Sequence, residues 1–157
     1  MAGQPYTYAG AVVSISTTPQ NDDLTGTSPG FAGLTYTPIA NVGNIGAYGF
    51  TTNMVTYPVM DRSVALKAKG NTDGGNLTIQ CADKPGDPGQ VAARAAANPN
   101  SQDNYVFRIQ FANGGIHYIR GPMGGPNHPG GGNEAFVVNE YTVGVNEILE
   151  VDPPTSP

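Results

Sequence analysis

Residues 74–100 read GGNLTIQCADKPGDPGQVAARAAANPN, and this stretch decides the fold class. Its first part predicts a strand, because Leu77, Ile79 and Cys81 alternate with polar residues. The Lys-Pro-Gly sequence at residues 84–86 predicts the turn that ends this strand. Cys81 falls on the apolar face, so we expect a small core residue there rather than a reactive thiol. It is the only cysteine of the chain, which excludes an internal disulfide.

The second part of this stretch predicts the one convincing helix in the sequence. Asp87 is in position to cap its N-terminus, Pro88 takes the first helical position, and Gln90 follows three residues after the cap, as in a capping box. Asn98 precedes a proline, which predicts the end of the helix. Such a short, alanine-rich helix cannot form a core of its own, so we expect it to pack on a sheet. The residues expected on its buried face are Val91, Ala92, Ala95 and Ala96.

Apolar alternation predicts that most of the remaining chain forms β-strands. The strongest candidate is a hairpin, in which residues 105–111 and 116–120 flank an Asn-Gly-Gly turn at residues 113–115. Further strands are expected at residues 11–17, 34–42, 50–60, 135–143 and 145–151. Loops are expected at residues 19–33, 61–75 and 121–132, the second with a short strand piece at residues 64–66.

The composition suits a single β-rich domain. Charged residues make up 12% of the 157 residues, while 22 glycines and 14 prolines favour short strands joined by loops. We expect one domain over residues 1–157, with a loose N-terminal arm at 1–10 and a polar C-terminal tail at 152–157. The net charge of −5 argues against binding nucleic acid through its phosphates. We expect no signal peptide in the first ten residues and no membrane span, since no run of about 18 apolar residues occurs.

No group of residues in the sequence indicates an enzyme, a metal site or a cofactor. His117 and His128 lack partners at metal-ligand spacing. The glycine-rich residues 121–132 are not followed by the Lys-Ser/Thr of a phosphate-binding loop. The carboxylate pairs Asp22/Asp23 and Glu147/Glu150 are interpreted as solvated charges.

An aromatic set raises the alternative of a nucleic-acid stacking platform. Such a platform would need interleaved Lys and Arg, which are missing here, so we assign these aromatic residues to the core. They are Tyr105, Phe107, Tyr118, Phe136 and Tyr141.

The run from Val64 to Ala97 resembles the tail tube (major tail) proteins of long-tailed bacteriophages. It has the form of a strand piece, KxxGNxDGGxLxI, a turn, and DPGQxxARxAA. The likeness covers roughly residues 34–151, because the aromatic hairpin and the closing strands follow in the family's order. The glycine-rich segment 121–132 departs from it. The matching residues are Lys67, Gly70, Asp73, Gly75, Leu77, Ile79, Asp87, Gly89, Gln90, Arg94 and Ala95.

The resemblance implies a mainly β fold, a β-sandwich or half-barrel with one short α-helix on its flank. It implies that six copies form a ring, that the inner sheets join into a ring-wide β-barrel, and that rings stack into a hollow tube. This tube would surround the tape-measure protein, meet tail-tip and tail-terminator proteins, and conduct DNA without binding it specifically. The implied location is the virion tail, assembled in the host cytoplasm. The resemblance implies no enzymatic activity, no cofactor and no membrane contact.

The basic segment from Asp61 to Lys69 is the expected arm toward an acidic neighbour in the next ring; a merely flexible loop is the alternative. The net acidic charge suits a lumen that passes DNA without binding it. The candidate ring-stacking residues are Asp61, Arg62, Lys67, Lys69 and Asp73, and the candidate helix cap and packing residues are Asp87, Gln90 and Ala95.

Two other functions stay open at the level of the sequence. One is a monomeric β-sandwich that binds a ligand such as a carbohydrate, suggested by eight tyrosines and the glycine-rich segment. The other is the tube subunit of a phage-derived secretion or gene-transfer system, which would share the ring architecture.

Overall fold

The structure is a computed structural model that describes residues 5–153; residues 1–4 and 154–157, the ends of the two predicted terminal segments, lie outside them. It confirms a mainly β fold with one short α-helix. A 3₁₀ turn at Gly30–Gly33 follows the first strand. The elements in chain order are β1 Val12–Ser16, β2 Tyr36–Pro38, β3 Val42–Ile45, β4 Thr51–Tyr57, β5 Leu66–Asp73, β6 Asn76–Ala82, α1 Pro88–Ala96, β7 Asn104–Gln110, β8 Ile116–Asn127, β9 Val138–Gly144 and β10 Glu147–Val151.

Eight strands form a sheet that folds into two layers. The first layer has the order β10-β8-β7-β1-β2 and the second β8-β9-β6-β3, with all neighbours antiparallel. The long strand β8 belongs to both, since its first half pairs with β7 and its second half with β9. At the crossing, a Cβ on Gly121 would overlap the carbonyl oxygen of Gly144. Only glycine therefore lets the two strands approach this closely.

The main core lies between the two layers and under the helix. Alternate residues of β1, β7 and β8 meet alternate residues of β6 and β9, and α1 closes the space with small side chains. Cys81 is buried in this core, as predicted, and burial raises the pKa of its thiol. Of the predicted core aromatics, Phe107, Tyr118 and Tyr141 are buried, but Phe136 is 82% exposed and was wrongly assigned.

Strands β4 and β5 form a separate two-stranded hairpin outside the sandwich. With its connecting turn, we call it the exposed hairpin, residues 51–73. The predicted loop at residues 61–75 is therefore wrong, because residues 66–73 form a strand that pairs with β4, with one register shift between Thr52 and Met54. Hydrophobic periodicity could not reveal β5, since every residue of the strand is exposed in the chain.

Two other predicted segments differ in extent. Strand β8 continues to Asn127, into the segment expected to be a flexible loop at residues 121–132. The single strand expected at residues 34–42 is replaced by β2 and β3, separated by Asn41 with a φ of 61°. This left-handed residue turns the chain from the first layer to the second.

The segment at residues 19–33 is not a simple surface loop. Phe31 is buried and stacks on Tyr118, with ring centroids 5.2 Å apart. Together with Val106, these residues form a second apolar cluster on the outer face of the first layer. The segment therefore acts as a cover for that face.

Candidate assembly interface

The exposed hairpin has two chemically different faces. Cross-strand partners in an antiparallel pair lie on the same face. Val55 faces Ala68 and Tyr57 faces Leu66, so these four side chains form an apolar face. The apolar face is defined here by Val55, Tyr57, Leu66 and Ala68.

The opposite side of the hairpin is a polar face. Met54 pairs with Lys69 and Thr56 pairs with Lys67, one register step away from the apolar pairs. Side chains alternate between faces along a strand, so both lysines point away from the apolar face. The polar face is defined here by Met54, Thr56, Lys67 and Lys69.

The apolar face has no cover in the single chain. Val55 is 56% exposed, Tyr57 69% and Leu66 43%. A two-stranded hairpin is at best marginally stable alone in water, and clustered exposed apolar side chains mark interaction sites. The apolar face is thus a candidate interaction surface.

The structure does not bring the five predicted ring-stacking residues into one cluster. Asp61 and Arg62 lie in the turn at the end of the hairpin away from the sandwich. Lys67 and Lys69 lie on the polar face of β5. Asp73 lies at the base, where its Oδ1 accepts a hydrogen bond from the Gly75 backbone N–H at 3.1 Å.

Charge is distributed unevenly between the hairpin and the rest of the chain. Residues 51–73 carry three of the seven basic and two of the twelve acidic residues, so they have a net charge of +1. All other residues together have a net charge of −6. The hairpin is therefore weakly basic, whereas the rest of the chain is acidic.

Asp87 caps the start of α1, as predicted, and its side chain also binds a second backbone N–H group outside the helix. The Asp87 Oδ2 atom accepts a hydrogen bond from the Gln90 backbone N–H and another from the Ala40 backbone N–H, both at 3.1 Å. Ala40 lies in the segment that passes from β2 to β3. Asp87 therefore ties the helix to the place where the chain changes layers.

Gln90 does not complete the capping box. Its side chain is buried, its Oε1 accepts from the Lys84 backbone N–H, and its Nε2 donates to the carbonyl oxygens of Ala40 and Ala82, each at 2.9 Å. The side chain thus links three backbone segments. The sequence gives no local signal for these contacts, because Ala40 is fifty positions away.

The predicted packing role of Ala95 is wrong, since Ala95 and Val91 are exposed in the chain. The helix buries Ala96, as predicted, together with Gly89, Gln90 and Ala93, so its inner face is shifted toward Ala93 relative to the prediction. A Cβ on Gly89 would overlap the carbonyl oxygen of Pro38, which shows how closely the first turn meets β2.

Sequence reasoning also missed a buried ion pair. Arg120 Nε lies 2.9 Å from Glu147 Oε1, and Arg120 Nη2 lies 2.5 Å from Asp23 Oδ1. Glu147 also accepts hydrogen bonds from the backbone N–H groups of Leu24 and Thr25. These ion pairs and hydrogen bonds attach residues 19–33, the cover segment, to β8 and β10. Glu147 was wrongly interpreted as a solvated charge.

The pKa of Glu147 reflects two opposed effects. Burial raises this pKa, but hydrogen bonds from Thr25, Leu24 and Arg120 stabilise the carboxylate more strongly. The result is a pKa lowered to about 2. The carboxylate is therefore charged throughout the physiological range, as its pairing with Arg120 requires.

The histidines lie apart from any metal-ligand group. His117 Nδ1 is 2.5 Å from the hydroxyl oxygen of Tyr48, in the connection between β3 and β4, and His128 lies beside the carbonyl oxygen of Val138. Within residues 5–153, no group of three or more His, Cys, Asp or Glu side chains is placed to hold a metal ion. None of the helices in that range is long and apolar enough to cross a membrane.

Comparison with known proteins gives structural matches only. No protein-family model and no curated protein sequence matches the chain. A chain of the PVC sheath–tube complex, an extracellular contractile injection system in its extended state, aligns over 96% of this chain and 93% of its own, with a TM-score of 0.65 and 11% identity. The fold is the same.

Two chains from the anti-feeding prophage agree with this result. One, from the baseplate, covers 99% of this chain and 100% of its own, with a TM-score of 0.63 and 11% identity. The other, from the tube-terminating cap, covers 97% and 94%, with a TM-score of 0.64 and 9% identity. At such low identities, the comparisons establish a shared fold.

Proposed function

We propose that this chain is a structural, non-enzymatic subunit of the tube of a phage tail or of a phage-derived tail-like particle. Six copies form a ring, their exposed hairpins join into a ring-wide barrel, and rings stack into a hollow tube. The observation that carries the proposal is the apolar face of the exposed hairpin, which is uncovered in the single chain. The shared fold with chains of contractile injection systems supports it.

Ring formation accounts for both the uncovered apolar face and the unpaired edges of the hairpin. Packing the apolar face on a neighbouring copy removes Val55, Tyr57 and Leu66 from water, at about 25 cal/mol for each Å² of apolar surface. Pairing hairpins edge to edge satisfies the free backbone groups that a two-stranded ribbon leaves open.

We assign the turn residues Asp61 and Arg62 to contacts between stacked rings, because they lie at the end of the hairpin away from the sandwich. In a virus, the tube surrounds the tape-measure protein, meets tail-tip and tail-terminator proteins, conducts DNA, and is assembled in the host cytoplasm. Residues 1–157 act as one tube domain.

The likeness to injection-system chains favours a phage-derived particle as the second candidate function. The monomeric carbohydrate-binding alternative loses support, because Tyr118 and Tyr141 are buried in the body of the domain. Exposed Tyr57 is better explained as part of the apolar face.

Negative-stain electron microscopy of the purified chain over a range of concentrations tests the proposal. We expect rings or tubes of uniform width. A variant with Val55→Asp and Leu66→Asp should stay monomeric, while the matched control with Met54→Asp and Thr56→Asp should assemble. Circular dichroism should show the same folded content for both, since all four side chains are exposed. Tubes from the first variant would remove the apolar face from the interface.

A further inference from the structure

We propose that the polar face of the exposed hairpin is the surface on which the assembled tube holds an acidic protein segment inside its lumen. Lys67 and Lys69 supply the positive charges of this surface, and Met54 supplies an apolar contact. This inference rests on the proposed function and adds the chemical class of the partner.

The orientation of the polar face follows from the two-sided geometry of the hairpin. The apolar face packs on the sandwich body of a neighbouring copy. The polar face then points away from the bodies, because successive side chains of a strand lie on opposite sides. With the bodies forming the outer wall of the tube, the side away from them is the lumen.

The two lysines are available for an anionic partner. They stand two residues apart on the same face of β5, roughly 6 to 7 Å along the strand. The ion pairs within residues 5–153 are formed by Arg94 and Arg120, so neither lysine has a carboxylate partner in the single chain. Both are exposed, and no acidic residue belongs to the polar face.

The composition of the polar face favours a protein over DNA. Met54 is 61% exposed and directly opposite Lys69 across the hairpin. Methionine adapts its shape to apolar side chains of varied partners, whereas contacts to a DNA backbone are made by charge and hydrogen bonding. An acidic segment with interspersed apolar side chains fits both Met54 and the two lysines.

Binding to assembled tubes tests the partner. The probe is a fluorescent amphipathic peptide of Glu and Leu, and a short DNA duplex serves as the alternative ligand. Binding of each is measured by co-sedimentation with assembled tubes. We expect the peptide to bind more tightly than the duplex. Tubes of the Lys67→Gln, Lys69→Gln variant should lose affinity by about tenfold or more, because two charge-assisted contacts disappear. The matched variant with Lys84→Gln and Arg94→Gln, which removes the same charge from the body, should keep its affinity.

Cysteine labelling tests the orientation independently. Cys81 is buried and is the only native cysteine, so one introduced cysteine gives a clean signal. In assembled tubes, Thr56→Cys on the polar face should react with a small maleimide, and Val55→Cys on the apolar face should be protected. Unassembled chains should react at both positions.

Four results would overturn the inference. The first is tighter binding of the duplex than of the peptide, and the second is an equal loss of peptide affinity in the Lys84→Gln, Arg94→Gln variant. The third is protection of Thr56→Cys from maleimide in assembled tubes. The fourth is failure of the Lys67→Gln, Lys69→Gln variant to assemble, which would place the lysines between copies. Tubes that form but do not bind the peptide refute this inference and leave the proposed function intact. A wild-type chain that never assembles refutes both.

Discussion

Replacing Gln90 with alanine should destabilise the fold by several kcal/mol, because it removes a buried side chain that links three backbone segments. The side chain is only 3% exposed and makes three hydrogen bonds to backbone groups of Ala40, Ala82 and Lys84. Each buried group left without a partner costs about 1 to 3 kcal/mol. Allowing for water that enters the new space, we expect a loss of roughly 3 to 5 kcal/mol.

Urea unfolding followed by far-ultraviolet circular dichroism measures this loss as a change in the free energy of unfolding. Val91→Ala is the matched control, because Val91 is exposed on the same helix and should change stability by no more than about 0.5 kcal/mol. Gln90→Glu separates the two ends of the side chain, since it keeps an acceptor for Lys84 and loses the donor to both carbonyl oxygens. A loss below about 1 kcal/mol in Gln90→Ala would refute the idea that this side chain holds the layer crossing together.

Three further predictions concern other parts of the chain. The folded pKa of Glu147 is lowered from 4.5 to about 2, so this carboxylate contributes roughly 3 kcal/mol of stability that is present above about pH 4.5 and lost as the pH falls toward 2. Glu147→Gln should therefore lose this amount at neutral pH and show a weaker fall in stability at acid pH, as measured by urea unfolding at several pH values. An unchanged fall at acid pH would contradict the prediction. Gly121→Ala should prevent stable folding, because the added Cβ overlaps the Gly144 carbonyl oxygen, and soluble expression with a cooperative thermal transition would argue against that overlap. Arg62→Glu should leave rings that do not stack when viewed by electron microscopy, and normal tube lengths would exclude the turn as the stacking contact.

Elements with their own local signal were predicted well. The helix start was readable because the cap residue, the first-turn proline and the alanines all lie within one short segment. The β7–β8 hairpin was readable because Tyr105, Phe107 and Ile109 recur at every second position and its turn contains Gly114, which has a φ of 92°. In both, neighbouring residues carry the whole pattern.

Features that depend on distant residues escaped sequence reasoning. Glu147 is buried only because Arg120 and the backbone of the cover segment reach it from 27 and more than 120 positions away. Strand β5 forms because β4 supplies its hydrogen bonds, while its own polar residues show no buried side. The candidate interface overlaps the segment that the sequence points to, but its division into two faces required the register of this pairing.

The junction between hairpin and sandwich has a mechanical consequence. Strand β5 passes into β6 through Gly74 and Gly75 alone, and the Gly75 carbonyl oxygen accepts a hydrogen bond from Val145 at 3.0 Å. Side chains at Gly74 are excluded, because a Cβ there would lie 2.5 Å from the Val145 carbonyl oxygen. A pull on the hairpin is therefore passed along the backbone into β6, whose seven-residue pairing with β9 bears the load in shear. Tension applied to one hairpin is resisted by the whole second layer of the sandwich.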